Sequence, residues 1–178
     1  MKIREIRTIP LLGMTPISGW EHETRPEDNL HTLIEIETDD GLVGVGSCYT
    51  STPLVNASLE VLEPALIGES AIEPERVSEK LHQMTFWQGR GGAITHAISG
   101  VDIALWDLKG RALDTPVCQL LGGKCRNRIR VYQNPGGATP EETLENALRL
   151  KEEHGFAAFK TNPLPRDAHA RPWPAVLN

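Results

Sequence analysis

The chain has 178 residues, enough for one large or two small domains, and its 39% hydrophobic and 24% charged residues are the make-up of an ordinary globular protein. A formal net charge of −6 argues against a nucleic-acid-binding face, since such footprints are basic. No apolar run approaches the roughly 18–20 residues that a membrane span needs.

The opening "MKIREIRTIP" interrupts its isoleucines with charges, so residues 1–9 are expected to form a strand and not a signal peptide. The long polar loop 11–29 comes next, of a length that is uncommon in compact domains and often functional. Residues 30–38 alternate, with Leu30, Ile34 and Ile36 on one face and Glu35 and Glu37 on the other. "TDDG" at 38–41 is a hairpin turn, and "LVGVGSCY" is the partner strand. From Pro53 the pattern turns helical: "TPLVNASLEVLEPALIG" with a Thr-Pro start, then "EPERVSEKLHQMTF", then a third helix over 93–114. The first part therefore reads as an α+β module, a three-stranded antiparallel meander followed by helices.

In the third helix Ala97, Val101, Ala104, Leu105, Leu108 and Ala112 fall at helical spacing and predict one apolar stripe. Small residues at 97, 100, 104, 110 and 112 keep its surface low, as expected of a helix that docks a second body. Asp107 and Arg111, four apart, suit an ion pair. Pro116 is expected to stop the helix, with Val117, Leu120 and Leu121 docking the segment after it.

Residues 128–136, "RIRVYQNPG", suggest a short strand. Next comes a helix opened by Thr139, Pro140 and Glu142 as a capping box, striped by Leu144, Ala147 and Leu148, and stopped by Gly155. "FAAFKTN" completes a βαβ unit with parallel strands. The predicted segments are thus 1–127, 128–162 and an irregular tail 163–178, where four prolines between Pro163 and Pro174 forbid a regular element.

Several short motifs fail. "GVGSCY" lacks the third glycine and the helix of a dinucleotide site, and "LLGGKCR" has Cys118 and Cys125 where a phosphate loop needs Gly and Ser or Thr. The six histidines form neither HxxxH nor HExxH, and no Gly-x-Ser-x-Gly elbow is present. Cys48, Cys118 and Cys125 are odd in number, far apart and without CxxC, which suggests reduced packing thiols and a cytoplasmic protein.

The stretch "AISGVDIALWDLKGRALDTPVCQLLGG" (97–123) closely resembles the signature of the mandelate racemase and muconate lactonizing group of the enolase superfamily. The match runs through Ala97, Ser99, Gly100, Asp102, Ala104, Leu105, Asp107, Gly110, Arg111, Pro116, Leu120, Leu121 and Gly122. "ETDDGLVGVGS" resembles the family's early hairpin. "FWQGRGGAITHAISGVDIALWDLKG" and "FAAFKTN" look most like galactonate dehydratase-type acid-sugar dehydratases.

The resemblance implies a capping domain followed by the start of a (β/α) barrel. It also implies proton abstraction beside the carboxylate of a small-molecule sugar acid, with Mg²⁺ stabilising the enolate and a Lys or His base. Such a carbon acid is too weak for an unaided base at neutral pH, so a divalent cation takes up the developing charge. Substrate contacts would come from the cap loops, with Trp20, His22 and Arg25 in the 11–29 loop and Tyr49 in the segment Ser47–Thr52.

Lys160 would match the first lysine of the family's Lys-x-Lys pair, near the substrate carboxylate, while Asn162 replaces the second. That replacement favours a dehydratase relying on histidine over a racemase; cycloisomerisation and a non-catalytic cap are the other readings. The metal carboxylates would come from later strands, so no metal ligand is assigned within this chain. A complete barrel takes about 200–250 residues. The stretch after residue 127 has room for two strands and one helix, as a frame change, an early stop or a cut within a loop would leave it. The chain alone is expected to lack dehydratase activity, and a homo-oligomer is expected, with neither nucleic acid nor membrane as partner.

Overall fold

The computed structural model describes residues 1–11, 31–89 and 91–161. Those up to Lys124 form one compact unit and those from Cys125 a second, where the sequence placed the division at 127. Trp20, His22, Arg25, Leu30, Asn162 and the proline-rich tail lie outside the described residues.

In the first unit β1 (Ile3–Leu11), β2 (His31–Thr38) and β3 (Val43–Cys48) form an antiparallel sheet in that order. The register sets Ile36 of β2 between Ile6 and Gly44, and Ile34 between Thr8 and Gly46. Strand alternation turns Thr32, Ile34, Ile36 and Thr38 inward. Ile34 and Ile36 are 0% exposed. The other face carries charge: Arg4 pairs with Glu37, and Arg7 lies 3.6 Å from Glu35 and 3.5 Å from Glu37. Such half-exposed pairs contribute at most about 1 kcal/mol each, so burial and not charge holds the sheet in place. Gly41 takes the left-handed conformation that closes the β2–β3 turn (φ 84°).

Beyond the sheet come four helices, α1 (Thr52–Leu66), α2 (Pro74–Met84), α3 (Ala93–Ala112) and α4 (Val117–Leu120), with a 3₁₀ turn over Phe86–Gln88. The core joins Ile3, Ile34 and Ile36 of the sheet to Leu62 of α1, Leu81 of α2 and Leu105 of α3.

The small residues of α3 are used inside this unit, where β3 takes up the close approach they allow. The Cβ that an alanine would add at Gly46 falls 1.9 Å from the Gly100 carbonyl oxygen, and one at Gly44 falls 2.3 Å from that of Ala104. From the helix side, a Cβ at Gly100 meets Ile34 Cδ1 at 2.7 Å. Backbone thus lies on backbone along this seam. A carboxylate clamp completes it: Asp107 Oδ2 accepts from the Val45 amide of the edge strand at 3.0 Å and from Arg111 Nε at 2.8 Å.

The predicted stripe on α3 holds from Ala97 to Leu108, all buried, but Ala112 is exposed. The helix is already closing there. Asp114 turns left-handed (φ 48°), Thr115 N donates to Gly110 O at 2.8 Å and Asp114 N to Arg111 O at 3.2 Å, a Schellman ending that precedes Pro116. Leu121 stays 65% exposed, against the docking role expected of it.

In the second unit α5 (Pro140–His154) has the predicted caps. Thr139 Oγ1 accepts from Glu142 N at 3.2 Å, the Glu142 carboxylate accepts from Ala138 N at 2.7 Å, and Gly155 ends the helix at φ 73°. The strands expected over 128–136 and 156–162 shrink to one parallel bridge, Gln133 with Phe159. Ile129, Val131, Leu144 and Leu148 remain more than half exposed, because among the described residues the single bridge has no neighbouring strands on which to bury its faces.

Candidate functional site

The segment at the end of β3 holds a cluster of hydroxyl groups and a histidine. Thr32 sits at an inward position of β2, so its buried hydroxyl needs partners. Thr32 Oγ1 donates to the Thr50 carbonyl at 2.8 Å. That uses its single proton, so Thr52 Oγ1, 2.9 Å away, is the donor in the second contact. Thr50, itself buried, donates its hydroxyl proton to Tyr49 O at 2.7 Å. Its oxygen also meets His96 Nδ1. When the Thr50 proton lies on Tyr49 O, His96 Nδ1–H is the donor.

The corner that turns from β3 into α1 is therefore fixed from β2 by Thr32 and from α3 by His96. Tyr49 projects from that corner 60% exposed, its ring edge-to-face with His31 at 5.8 Å. The Cys48 thiol is buried beside it, and burial raises its pKa, so it stays protonated and unreactive.

Of the sequence-predicted site residues, Tyr49 and Lys160 are described, and they lie in different units. Lys160 directly follows the parallel bridge, its amide donating to Gln133 O at 3.0 Å while Gln133 N donates to Ala158 O at 3.1 Å; its side chain is exposed. Trp20, His22, Arg25 and Asn162 lie outside the described residues. Thr32, Thr50 and His96 were not singled out from the sequence. The one available signal was Thr32, a hydroxyl at an inward position of an otherwise apolar alternation.

A shallow groove of about 350 Å³ lies between the end of α2 and the start of α3, lined by Glu79, His82, Gln83, Thr85, Phe86 and Thr95. Its polar groups are partly engaged locally: Gln83 Nε2 donates to Glu79 at 2.6 Å and Thr85 Oγ1 to Leu81 O at 2.8 Å. Deeper in the α2–α3 contact, burial raises the pKa of the Asp102 carboxyl, opposed by the Ser78 hydroxyl bond and the nearby His82 and assisted by Glu75.

Among the described residues no three His, Cys, Asp or Glu side chains converge as a metal site. Two carboxylates of the first unit are held by cations: Glu69 holds Lys80 at 2.7 Å and Arg76, while Asp107 holds Arg111 and the Val45 amide. The described residues therefore do not fit Mg²⁺.

The mandelate racemase / muconate lactonizing enzyme N-terminal domain matches residues 21–122. The chain belongs to this family. Its first unit is the N-terminal capping domain of the enolase superfamily, an acid-sugar dehydratase-like region. It is 43% identical over 135 residues to the D-galactonate dehydratase of Verminephrobacter eiseniae, a match over 73% of this chain and 34% of that protein. It is 38% identical over 132 residues to the D-xylonate dehydratase of Haloferax volcanii, over 72% and 32%. Among solved structures it resembles an enolase from Agrobacterium radiobacter bound to Na and L-malate, with a TM-score of 0.76 and 31% identity over 99% of this chain and 42% of that one. The chain thus spans about a third of the length of the curated relatives it matches. Among the described residues no helix is long and apolar enough to cross a membrane.

Proposed function

We propose that this cap serves an acid-sugar dehydratase that removes the proton α to a carboxylate and the hydroxyl β to it, giving water and a 2-keto-3-deoxy acid after tautomerisation. The likeness to dehydratases of two different aldonates, galactonate and xylonate, carries this reading. In the enolase superfamily, Mg²⁺ stabilises the enolate charge; here its ligands and the base belong to residues other than those described. The chain's own contribution is recognition. The Tyr49 ring and phenol offer a sugar both a face and a hydrogen-bond partner. The Lys160 ammonium offers a carboxylate a compact positive charge.

A hybrid enzyme tests this. Residues 1–124 of this chain replace the matching cap of the Verminephrobacter eiseniae dehydratase, and release of 2-keto-3-deoxy acid from galactonate and xylonate is followed with Mg²⁺ present. Turnover of either aldonate is expected. A folded hybrid that releases no keto acid overturns the proposal.

A further inference from the structure

We infer that His96 is a positioning residue: from α3 it holds the Tyr49–Thr50 corner in place, so that the Tyr49 side chain meets an aldonate in one orientation. The inference rests on the dehydratase reading for its substrate, while its geometry stands independently. His96 Nδ1–H donates to Thr50 Oγ1, Thr50 Oγ1 donates to Tyr49 O, and Thr32 Oγ1 donates to Thr50 O. Two separate bonds thus meet on Thr50, one from the helix on its hydroxyl and one from the strand on its carbonyl. Both anchors are rigid. Thr32 lies in a paired strand, opposite Cys48, and His96 lies in the first turn of a 20-residue helix whose adjoining residues Ala97 and Ile98 are in the core.

Proton counting makes the arrangement directional. Thr50 has one hydroxyl proton, and when Tyr49 O takes it the His96 contact is a hydrogen bond with Nδ1–H as donor. That holds for the Nδ1–H tautomer and for the imidazolium alike. An Asn amide can supply a similar donor, and Ala cannot. The corner also carries the first turn of α1, because Ser51 O accepts from Leu54 N and Val55 N, both at 3.1 Å. Those two amides therefore report whether the corner is held.

The first arm is amide hydrogen exchange on the 178-residue chain. His96→Ala and, separately, Thr50→Val are expected to speed exchange at Leu54 and Val55 by about fivefold, the factor one ordinary hydrogen bond supplies, with the Leu105 amide unchanged. His96→Asn is expected to keep the native rate. Unchanged exchange at Leu54 and Val55 in both His96→Ala and Thr50→Val overturns the clasp.

The second arm is kinetic, in the hybrid enzyme. His96→Ala should raise KM for the aldonate about fivefold with kcat within about twofold, and His96→Asn should restore KM. Faster exchange with KM unchanged overturns the role in substrate contact. An unsubstituted hybrid without activity overturns the dehydratase reading and the substrate role with it, while the exchange arm still decides the clasp.

Discussion

Replacing Gly46 by alanine tests the seam on which the cap is built. The added methyl carbon would stand 1.9 Å from Gly100 O and 2.8 Å from Ala104 N, both backbone atoms that no rotamer change can move. A tolerable carbon–oxygen contact lies near about 3.3 Å, so α3 would have to retreat from β3 by about 1.4 Å. A gap of about 0.5–1 Å already forfeits a quarter to a half of a contact's dispersion energy. Val101, Ala104, Leu105 and Leu108, all 0% exposed, line the helix face that would lift. Overpacking costs typically about 1–3 kcal/mol, and the immobile backbone neighbours put Gly46→Ala at the upper end, about 3 kcal/mol. For a chain of this size that lowers the melting temperature by about 6–12 °C. Gly91→Ala is the control: its added methyl meets nothing within 4 Å and its backbone is not left-handed, so the change stays within about 0.5 kcal/mol. Far-UV circular dichroism during thermal and urea unfolding reads both variants. A Gly46→Ala chain that melts with the native one refutes the backbone-on-backbone seam.

Asp107→Ala strands the Val45 amide and is expected to cost about 1–2 kcal/mol in urea unfolding, whereas Asp107→Asn, which keeps an acceptor, costs less. The Lys80 ammonium bond, with Arg76 close by, holds the Glu69 carboxyl below the usual range. A depressed acid stabilises the fold above its unfolded value and loses that contribution as pH falls through its folded value. The urea midpoint should therefore drop on acidification below about pH 4.3, and Glu69→Gln should flatten that drop. Asp102 has the opposite sign, since burial raises its pKa and ionisation weighs against the fold. Asp102→Asn, able to keep the Ser78 bond, is expected to raise the melting temperature at pH 7, with the gain vanishing once both states are protonated near about pH 3. Thr139→Ala removes the cap on Glu142 N and should cost α5 about 1 kcal/mol, seen as faster exchange of its first-turn amides.

Forces that leave a period were legible in the sequence. One-sided burial imposes alternation on β2 and a 3.6-residue stripe on α3, so Ile34, Ile36, Val101 and Leu108 were readable as core. Ala112 fitted the same stripe and is exposed, because a pattern continues past the point where Asp114 begins to close the helix. The strands around Gln133 and Phe159 carried the right local pattern, but a ladder also depends on neighbours that a local pattern does not contain. The bonds that Thr32 and His96 make to Thr50 join residues 18 and 46 positions apart, and no periodicity marks such pairings. Tyr49 stands out through family likeness, whereas Thr50 and His96 beside it carry no local pattern.

The clamp on Val45 has one more consequence. Open sheet borders tend to recruit foreign strands, and proteins that persist at high concentration need something to turn such visitors away. On β3 the outward-pointing Val45 amide already faces a carboxylate, so an incoming segment would have to displace a charged acceptor to pair there. Asp107 thus occupies the outward amide in the middle of β3, a position that an added strand would need for its own pairing.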